Sequence, residues 1–494
     1  MSTNFNILKA PQFRILSDDQ IREIHLAALE ILDHTGVWIE SEEVIDLLGQ
    51  AGARIRKDKR VAIPSHLVED AILSAPKRIV HSDRDGKRKI FLENNKVYFG
   101  AMAGCPFFID PYSGNKKPFE RKDMENVVKV IDYLPNIDIV CLPGQYSDVP
   151  QTITDRIQFK DYAMNTKKPI LFSPYSLDGL KDIISVSASI AGGEDKLIQS
   201  PFIINYSEPV TPLTHVKDAL DSLLFSAELN IPIVYTPMPL GGATAPATFA
   251  GILALNSAEV LSGLVISQLK KRGAPFIFGG VPTIMDMSTS ILSYGAPEMS
   301  LLSAGLTEIA HFYKLPMFGT AGCTDSKMVD QQAAIECTLS CLLSILSGAN
   351  LVHDVGLMDN GASISLELMV LNDEIIAMIK SLMNGIEVNQ ETFALDIIDK
   401  VGPRGHFLYE DHTLKHFRKF WRPKFFHRLS YEEWVKNGKL SMGDRLNQEV
   451  RRIIETHSIE PLPSTLAQEL HKMEKGWYRK VPILKSRKSL SVDS

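Results

Sequence analysis

The chain has 494 residues, 45% hydrophobic and 23% charged, with a formal net charge of -6. That is globular composition with material for a large core. The acidic balance argues against nonspecific nucleic-acid binding, which needs clustered Lys and Arg. Five cysteines, an odd and sparse set, fit a reduced, cytoplasmic protein.

The N-terminus, MSTNFNILKAPQFRIL, shows no basic-then-apolar leader pattern. Residues 1–96 read as an N-terminal helical cap, with short extended pieces between the helices of 17–80. In SDDQIREIHLAALEILDHTG, Ser17 is the expected N-cap, apolar residues fall at 21, 24, 28, 31 and 32, and Gly36 stops the helix.

From 97 a rhythm sets in. Short apolar runs at 97–100, 137–144, 168–176, 201–209, 231–242, 274–282, 315–322 and 350–356 end in Gly, Pro or polar residues, and a helical stretch follows each. Most are entered through Pro or Gly, as in NTKKP, LNIP, KRGAP and YKLP. Continuous apolar runs alternating with helices mean parallel strands covered on both faces. Eight such units predict an α/β fold, a (β/α)8 TIM barrel over 97–383. An open doubly wound sheet is the rival, but no G-x-G-x-x-G follows the first run. The stretch 247–269 is long and apolar. Asn256, Ser257 and Glu259 interrupt it, so a buried helix is expected and no membrane span. Residues 384–494 read as a C-terminal helical extension rich in aromatic and basic side chains, ending in a solvated basic tail at 479–491.

Barrel chemistry collects at the carboxyl ends of the strands. The runs end in Tyr98 and Phe99; Gln145 and Tyr146; Ser173 and Tyr175; Asn205, Tyr206 and Glu208; Tyr235 and Thr236; Phe278; Phe318 and Thr320; and His353 and Asp354. This is an aromatic set with few ionisable groups. A quaternary ammonium cannot donate hydrogen bonds, and ring faces hold it by cation–π contact. Tyr98, Phe99, Tyr206, Glu208, Tyr235 and Phe278 are therefore the candidate substrate-binding residues, and His353 with Asp354 the candidate catalytic pair. The competing reading makes the rings a cap on the barrel core and the pair structural. The glycine-rich PLGGATAPAT (239–248) either offers amides to a substrate carboxylate or only makes a turn. No metal site is expected: Cys337 and Cys341 lie in an apolar helix, and His412 and His416 lack the HExxH order. No G-x-S-x-G elbow or phosphate-binding motif occurs.

Three stretches carry a resemblance: GTAGCTDSKMVDQQAAIECTLSCLLSILSGANLVHDVGLMDNG (319–361), GPRGHFLYEDHTLKHFRKFWRP (402–423) and PYSGNKKPFERKD (111–123). Essentially the whole chain resembles the trimethylamine methyltransferase family, specifically its members without pyrrolysine. The resemblance implies a (β/α)8 barrel that moves a methyl group from an amine to Co(I) of a separate, cognate corrinoid protein. Cobalamin would come with that partner, and no cofactor would be bound tightly. Pyrrolysine-bearing members place that residue at or next to the position of Gly361, where this chain has only ordinary residues. Members lacking it resemble quaternary-amine demethylases acting on glycine betaine, proline betaine, carnitine or γ-butyrobetaine. His353 would then orient the substrate carboxylate or position the corrin. Asp354 would balance the cation or lock the His353 tautomer. The resemblance leaves open a homo-oligomer, and also a non-catalytic betaine-binding or corrinoid-protein scaffold barrel.

Overall fold

The computed structural model describes residues 11–101 and 104–481. The first ten residues of the expected leader-free N-terminus and most of the basic tail lie outside the described residues. Seven strands form one all-parallel sheet: β1 (Tyr98–Ala101), β2 (Ile170–Phe172), β3 (Ile203–Ser207), β4 (Ile233–Tyr235), β5 (Phe276–Gly279), β6 (Met317–Thr320) and β7 (Leu351–Val355). Their order is β1-β7-β6-β5-β4-β3-β2. The expected run at 137–144 contributes two single-residue parallel bridges, Ile139 to Gly100 and Val140 to Ile170, one to each edge strand. A helix follows each strand, as the alternation predicted.

The prolines before the runs explain the strand starts. Proline has no N–H to give a ladder. Here Pro169, Pro232, Pro275 and Pro316 use only their carbonyls, accepting from Val140, Asn205, Ile233 and Phe278 of the neighbouring strand.

Strand residues alternate between two faces. Leu171, Ile204, Val234, Ile277, Phe318 and Leu351 point inward into one compact cluster. Phe99, Phe172, Tyr235, Phe276 and Phe278 point outward into a larger core shared with the helices. At the amino-terminal foot, the hairpin Ile79–Ser82 with Arg88–Leu92 sends Ile79, Ile90 and Leu92 into the inner cluster.

The N-terminal region starts as expected. Ser17 and Gln20 form a capping box on helix Asp18–Glu30, and a π-turn, Ile31–Thr35, carries the chain to Gly36. Gly36 has φ +72°, and a Cβ there would sit 2.7 Å from the Val61 carbonyl oxygen. The region is not purely helical. Strand Val37–Ile39 pairs with Arg60–Ala62 and, in parallel, with Thr214–His215 of the loop after β3. Helix Phe249–Lys270 is long and apolar enough to cross a membrane, yet most of it is buried, packed against helices Asp18–Glu30 and Ser65–Ser74. Near the C-terminus, helices Met442–Thr456 and Ser464–Lys480 dock back on the sheet's outer helices. Buried Lys160 pairs with Asp161 at 3.0 Å and with Glu474, and Arg121 bridges Asp161 and Glu474 at 2.7 and 2.6 Å.

Candidate active site

The end of β7 breaks the strand pattern. Adjacent strand residues normally point to opposite faces, but the pairing of β7 with β1 shifts register between Val352 and Val355. Within that bulge Asp354 has φ +75°. Left-handed backbone is uncommon for a residue with a side chain and marks a held conformation. Its consequence is that His353 Nε2 lies 3.1 Å from Asp354 Oδ2, with both side chains buried. His353 Nδ1 lies 2.9 Å from the Gly319 carbonyl oxygen and 3.1 Å from Thr320 Oγ1. A carbonyl only accepts, so Nδ1 carries a hydrogen. The imidazole is thus held between β6 and the Asp354 carboxyl.

Aromatic rings collect around it. Phe318 lies 4.3 Å from the His353 ring, and Tyr206 lies 6.3 Å from His353 and 5.7 Å from Phe318, centroid to centroid. Tyr206 Oη donates to Glu208 Oε2 at 3.1 Å. Glu208 is exposed, yet desolvation by the surrounding atoms raises its carboxyl above the ordinary value. The Tyr206 phenol is held well above its usual value, first by burial and then by the carboxylates of Glu208 and Asp354. The Tyr294 phenol is raised by burial and then by Asp354. The rings of Tyr206, Tyr294 and His353 thus gather beside the carboxyl groups of Glu208 and Asp354, a setting that disfavours further negative charge.

The structure brings together Tyr206, Glu208, His353 and Asp354 of the sequence-derived set. It separates the other four. Tyr98 pairs with Leu351 at the opposite, amino-terminal end of the sheet and packs beside the hairpin plug. Phe99, Tyr235 and Phe278 face the helices, because strand parity puts them on the outer side. Phe278 packs against Tyr313 with ring centroids 5.4 Å apart. Tyr235 Oη lies 2.7 Å from His215 Nδ1, and its ring stacks on that histidine. These four are corrected from cage candidates to core and anchoring residues. Phe318 is a run-end residue whose ring packs on His353 from the inner core. Tyr294 was missed, because it lies in the loop before helix Pro297–Tyr313 and ends no apolar run. The signal available was an aromatic directly before the Gly-Ala-Pro entry to a helix. Its ring closes over Gly361, which has φ +87° and where a Cβ would meet Tyr294 Cε2 at 2.7 Å.

The glycine-rich loop makes a turn. The amides of Ala243, Thr244 and Ala245 all turn back on the Leu240 carbonyl, which leaves them no anion to hold. The five cysteines are buried, and burial is the first cause raising every thiol, Cys337 to about 12. None is a thiolate nucleophile at neutral pH.

A seven-stranded parallel α/β sheet with its candidate chemistry at the carboxyl ends of the strands places the chain in the class of TIM-barrel-like enzyme folds. Residues 3–475 match the family described as trimethylamine methyltransferase (MTTB), and the chain belongs to that family. Trimethylamine methyltransferase MttB of Desulfitobacterium hafniense (strain DSM 10664 / DCB-2) is 35% identical over 455 residues, 92% of each chain. Glycine betaine methyltransferase of D. hafniense (strain Y51) is 30% identical over 450 residues, covering 90% of this chain and 93% of the relative. Among solved structures, Methanosarcina barkeri monomethylamine methyltransferase (MtmB) superposes with a TM-score of 0.50 at 13% identity, covering 92% of this chain and 94% of that one. That likeness is one of fold.

Proposed function

We propose that the chain transfers a methyl group from a quaternary amine, glycine betaine or a related betaine, to the Co(I) corrinoid of a cognate partner protein. The reading includes closure of the sheet into a (β/α)8 barrel through residues 139–140, and the organisation into a 1–96 cap, a 97–383 barrel and a 384–494 extension. The observation that carries it is the cluster at the strand ends, where Tyr206 bonds Glu208 and lies beside His353, which in turn lies 3.1 Å from Asp354.

The chemistry suits these residues. A quaternary ammonium is already activated, because breaking one C–N bond sends the electron pair to a neutral tertiary amine, and no acid is needed. Tyr206 and Tyr294 strip water from the cation and hold it by ring contact. Asp354 and Glu208 balance its charge. His353, fixed from both nitrogens, keeps the Asp354 carboxylate in place and aims one methyl outward. Membership of the family implies an external acceptor, with a Co(I) corrinoid supplying the nucleophile when its protein docks, and the buried cysteines leave no thiolate to compete for the methyl. Tyr175, Met287 and Met328 stand exposed on the loops after β2, β5 and β6 and would meet such a partner at the mouth.

The test is a panel of betaines and methylamines with the purified chain and cob(I)alamin, following loss of the Co(I) absorbance. Turnover of at least one quaternary amine, with trimethylamine left untouched, is the expected result. Comparable turnover of trimethylamine would sink the substrate assignment, and binding without turnover across the panel would favour a scaffold.

A further inference from the structure

His412 and His416 lie four residues apart on helix Asp411–His416, so both rings stand on one face. Their centroids are 4.3 Å apart and their planes 33° from parallel. The Nε2 atoms of both are shut away from water, and neither has a hydrogen-bond partner. A buried polar atom left unpaired costs free energy, and two side by side call for an occupant. A third group reaches the same place. Glu391 Oε1, from helix Gln390–Phe393, lies 3.4 Å from His416 Nε2, and the same oxygen is paired with Lys415. Two neutral imidazole nitrogens beside a carboxylate are a donor set for zinc and its divalent neighbours. We propose that His412, His416 and Glu391 form a structural site for one divalent ion of the zinc class, which staples helix Asp411–His416 to helix Gln390–Phe393.

The surrounding segment has use for a staple. Its helices Gln390–Phe393, Leu395–Val401, Asp411–His416 and Tyr431–Lys436 are four to seven residues long, and none has a buried residue. Helices that short do not hold their shape alone. The ion pairs Lys400 with Glu410, at 2.7 Å, and Lys419 with Glu387, at 3.4 Å, lie at the surface and contribute little. Where a core is missing, a bound metal supplies order, because its binding free energy becomes folding free energy. A proton on His416 could be received by Glu391 but would leave His412 Nε2 as it is, whereas one ion answers both. Thr413, Leu414 and Lys415 fill the spacing between the histidines, so the general base of a hydrolytic HExxH zinc is absent and the ion's role is to hold structure. Among the described residues no three His, Cys, Asp or Glu side chains stand in a closed ligand set, so loading includes a small movement. The rings part, Glu391 turns from Lys415 to the ion, and water takes the remaining position of a tetrahedron. Glu391 and Lys415 are exposed and have room for it.

The experiment strips the full chain with a chelator, returns zinc chloride and reads the retained metal by elemental analysis after gel filtration. Calorimetry gives the affinity, and hydrogen exchange follows residues 390–416. We expect one zinc per chain and exchange at 390–416 slowed tenfold or more by the metal, with the sheet core unchanged. His412→Gln and His416→Gln should each weaken zinc binding tenfold or more, and the slowing should go with it. His66→Gln, an exposed histidine on helix Ser65–Ser74, should change neither. The five buried thiols stay protonated and do not compete for the ion. If a histidine variant fails to fold, cycles of chelation and zinc return on the wild type serve instead, and exchange at 390–416 should rise and fall with the metal. A wild type that retains no zinc would overturn the proposal. So would zinc retained undiminished by both histidine variants, or zinc that leaves exchange at 390–416 as it was. Betaine turnover is read separately, so either proposal can fail without the other.

Discussion

Asp354 adopts a left-handed backbone that asparagine tolerates nearly as well. Asp354→Asn therefore keeps the bulge and removes only the charge. Its expected effect is a tenfold or greater loss of kcat/KM for a betaine, about 1.4 kcal/mol of transition-state stabilisation, with a folded far-UV spectrum. Undiminished kcat/KM would show that Asp354 serves the strand end alone. Tyr206 and Phe278 separate inward from outward aromatics. Tyr206→Ala should weaken betaine binding by about 1–2 kcal/mol, the worth of a desolvated cation–π contact, with little change in melting temperature. Phe278→Ala should do the reverse, destabilising by about 3–5 kcal/mol through a core cavity while KM stays put. Calorimetry and steady-state kinetics on the two variants decide it, and matching profiles would mean that strand parity is not what sorts them.

At the scale of elements, the segment after β3 is held by one buried acid. Glu259, on helix Phe249–Lys270, accepts from Thr211 Oγ1 at 3.1 Å and from the Leu213 amide at 2.5 Å. That fixes Thr214–His215 beside Val37–Ile39 and lets His215 bond both Tyr235 and Ser262. Burial raises the Glu259 carboxyl from 4.5 to about 7, against the lowering effect of those two bonds. An acid with a raised folded pKa binds its proton more tightly folded than unfolded. Its contribution is thus complete below pH 4.5, is lost as pH rises from 4.5 to about 7, and is constant above that. The loss is on the order of 3 kcal/mol. Glu259→Gln should abolish this part of the pH dependence and raise stability at pH 8 relative to the wild type. Denaturant unfolding between pH 4.5 and 8 measures both, and parallel curves for the two proteins would contradict the assignment. The hydrophobic periodicity of 247–269 announced a buried helix, but nothing in it announced that Glu259 would anchor a loop 46 residues away.

The whole molecule is less divisible than its sequence blocks. The 1–96 segment supplies Ile79, Ile90 and Leu92 to the interior of the sheet, a strand that pairs with residues 214–215, and cover for helix Phe249–Lys270. A chain starting at 97 should consequently expose that apolar helix and aggregate, or bind a hydrophobic dye, where the full chain does not. A soluble, cooperatively melting 97–481 fragment would show the cap to be dispensable.

The sequence by itself determined seven of the eight expected strands and their starts, the helices between them, the cap at Ser17 and the stop at Gly36. These follow from local chemistry: apolar runs, proline's missing donor, a capping hydroxyl and a left-handed turn. It also marked Tyr206, Glu208, His353 and Asp354, because run ends locate the carboxyl edge. Only the tertiary structure decided which ring at each run end faces the mouth. A one-residue change of parity moves a side chain to the other face, and a run of continuous apolar residues carries no alternation from which to read it. That is why Phe99, Tyr235 and Phe278 went to the helix layer and Tyr98 to the foot. Tyr294 came to the mouth through a loop, and the pairing of His353 with Asp354 came from a bulge. Both depend on contacts with β1, Gly361 and Asp325 that lie far away in the chain. Long-range contacts of that kind leave no periodic trace in the sequence.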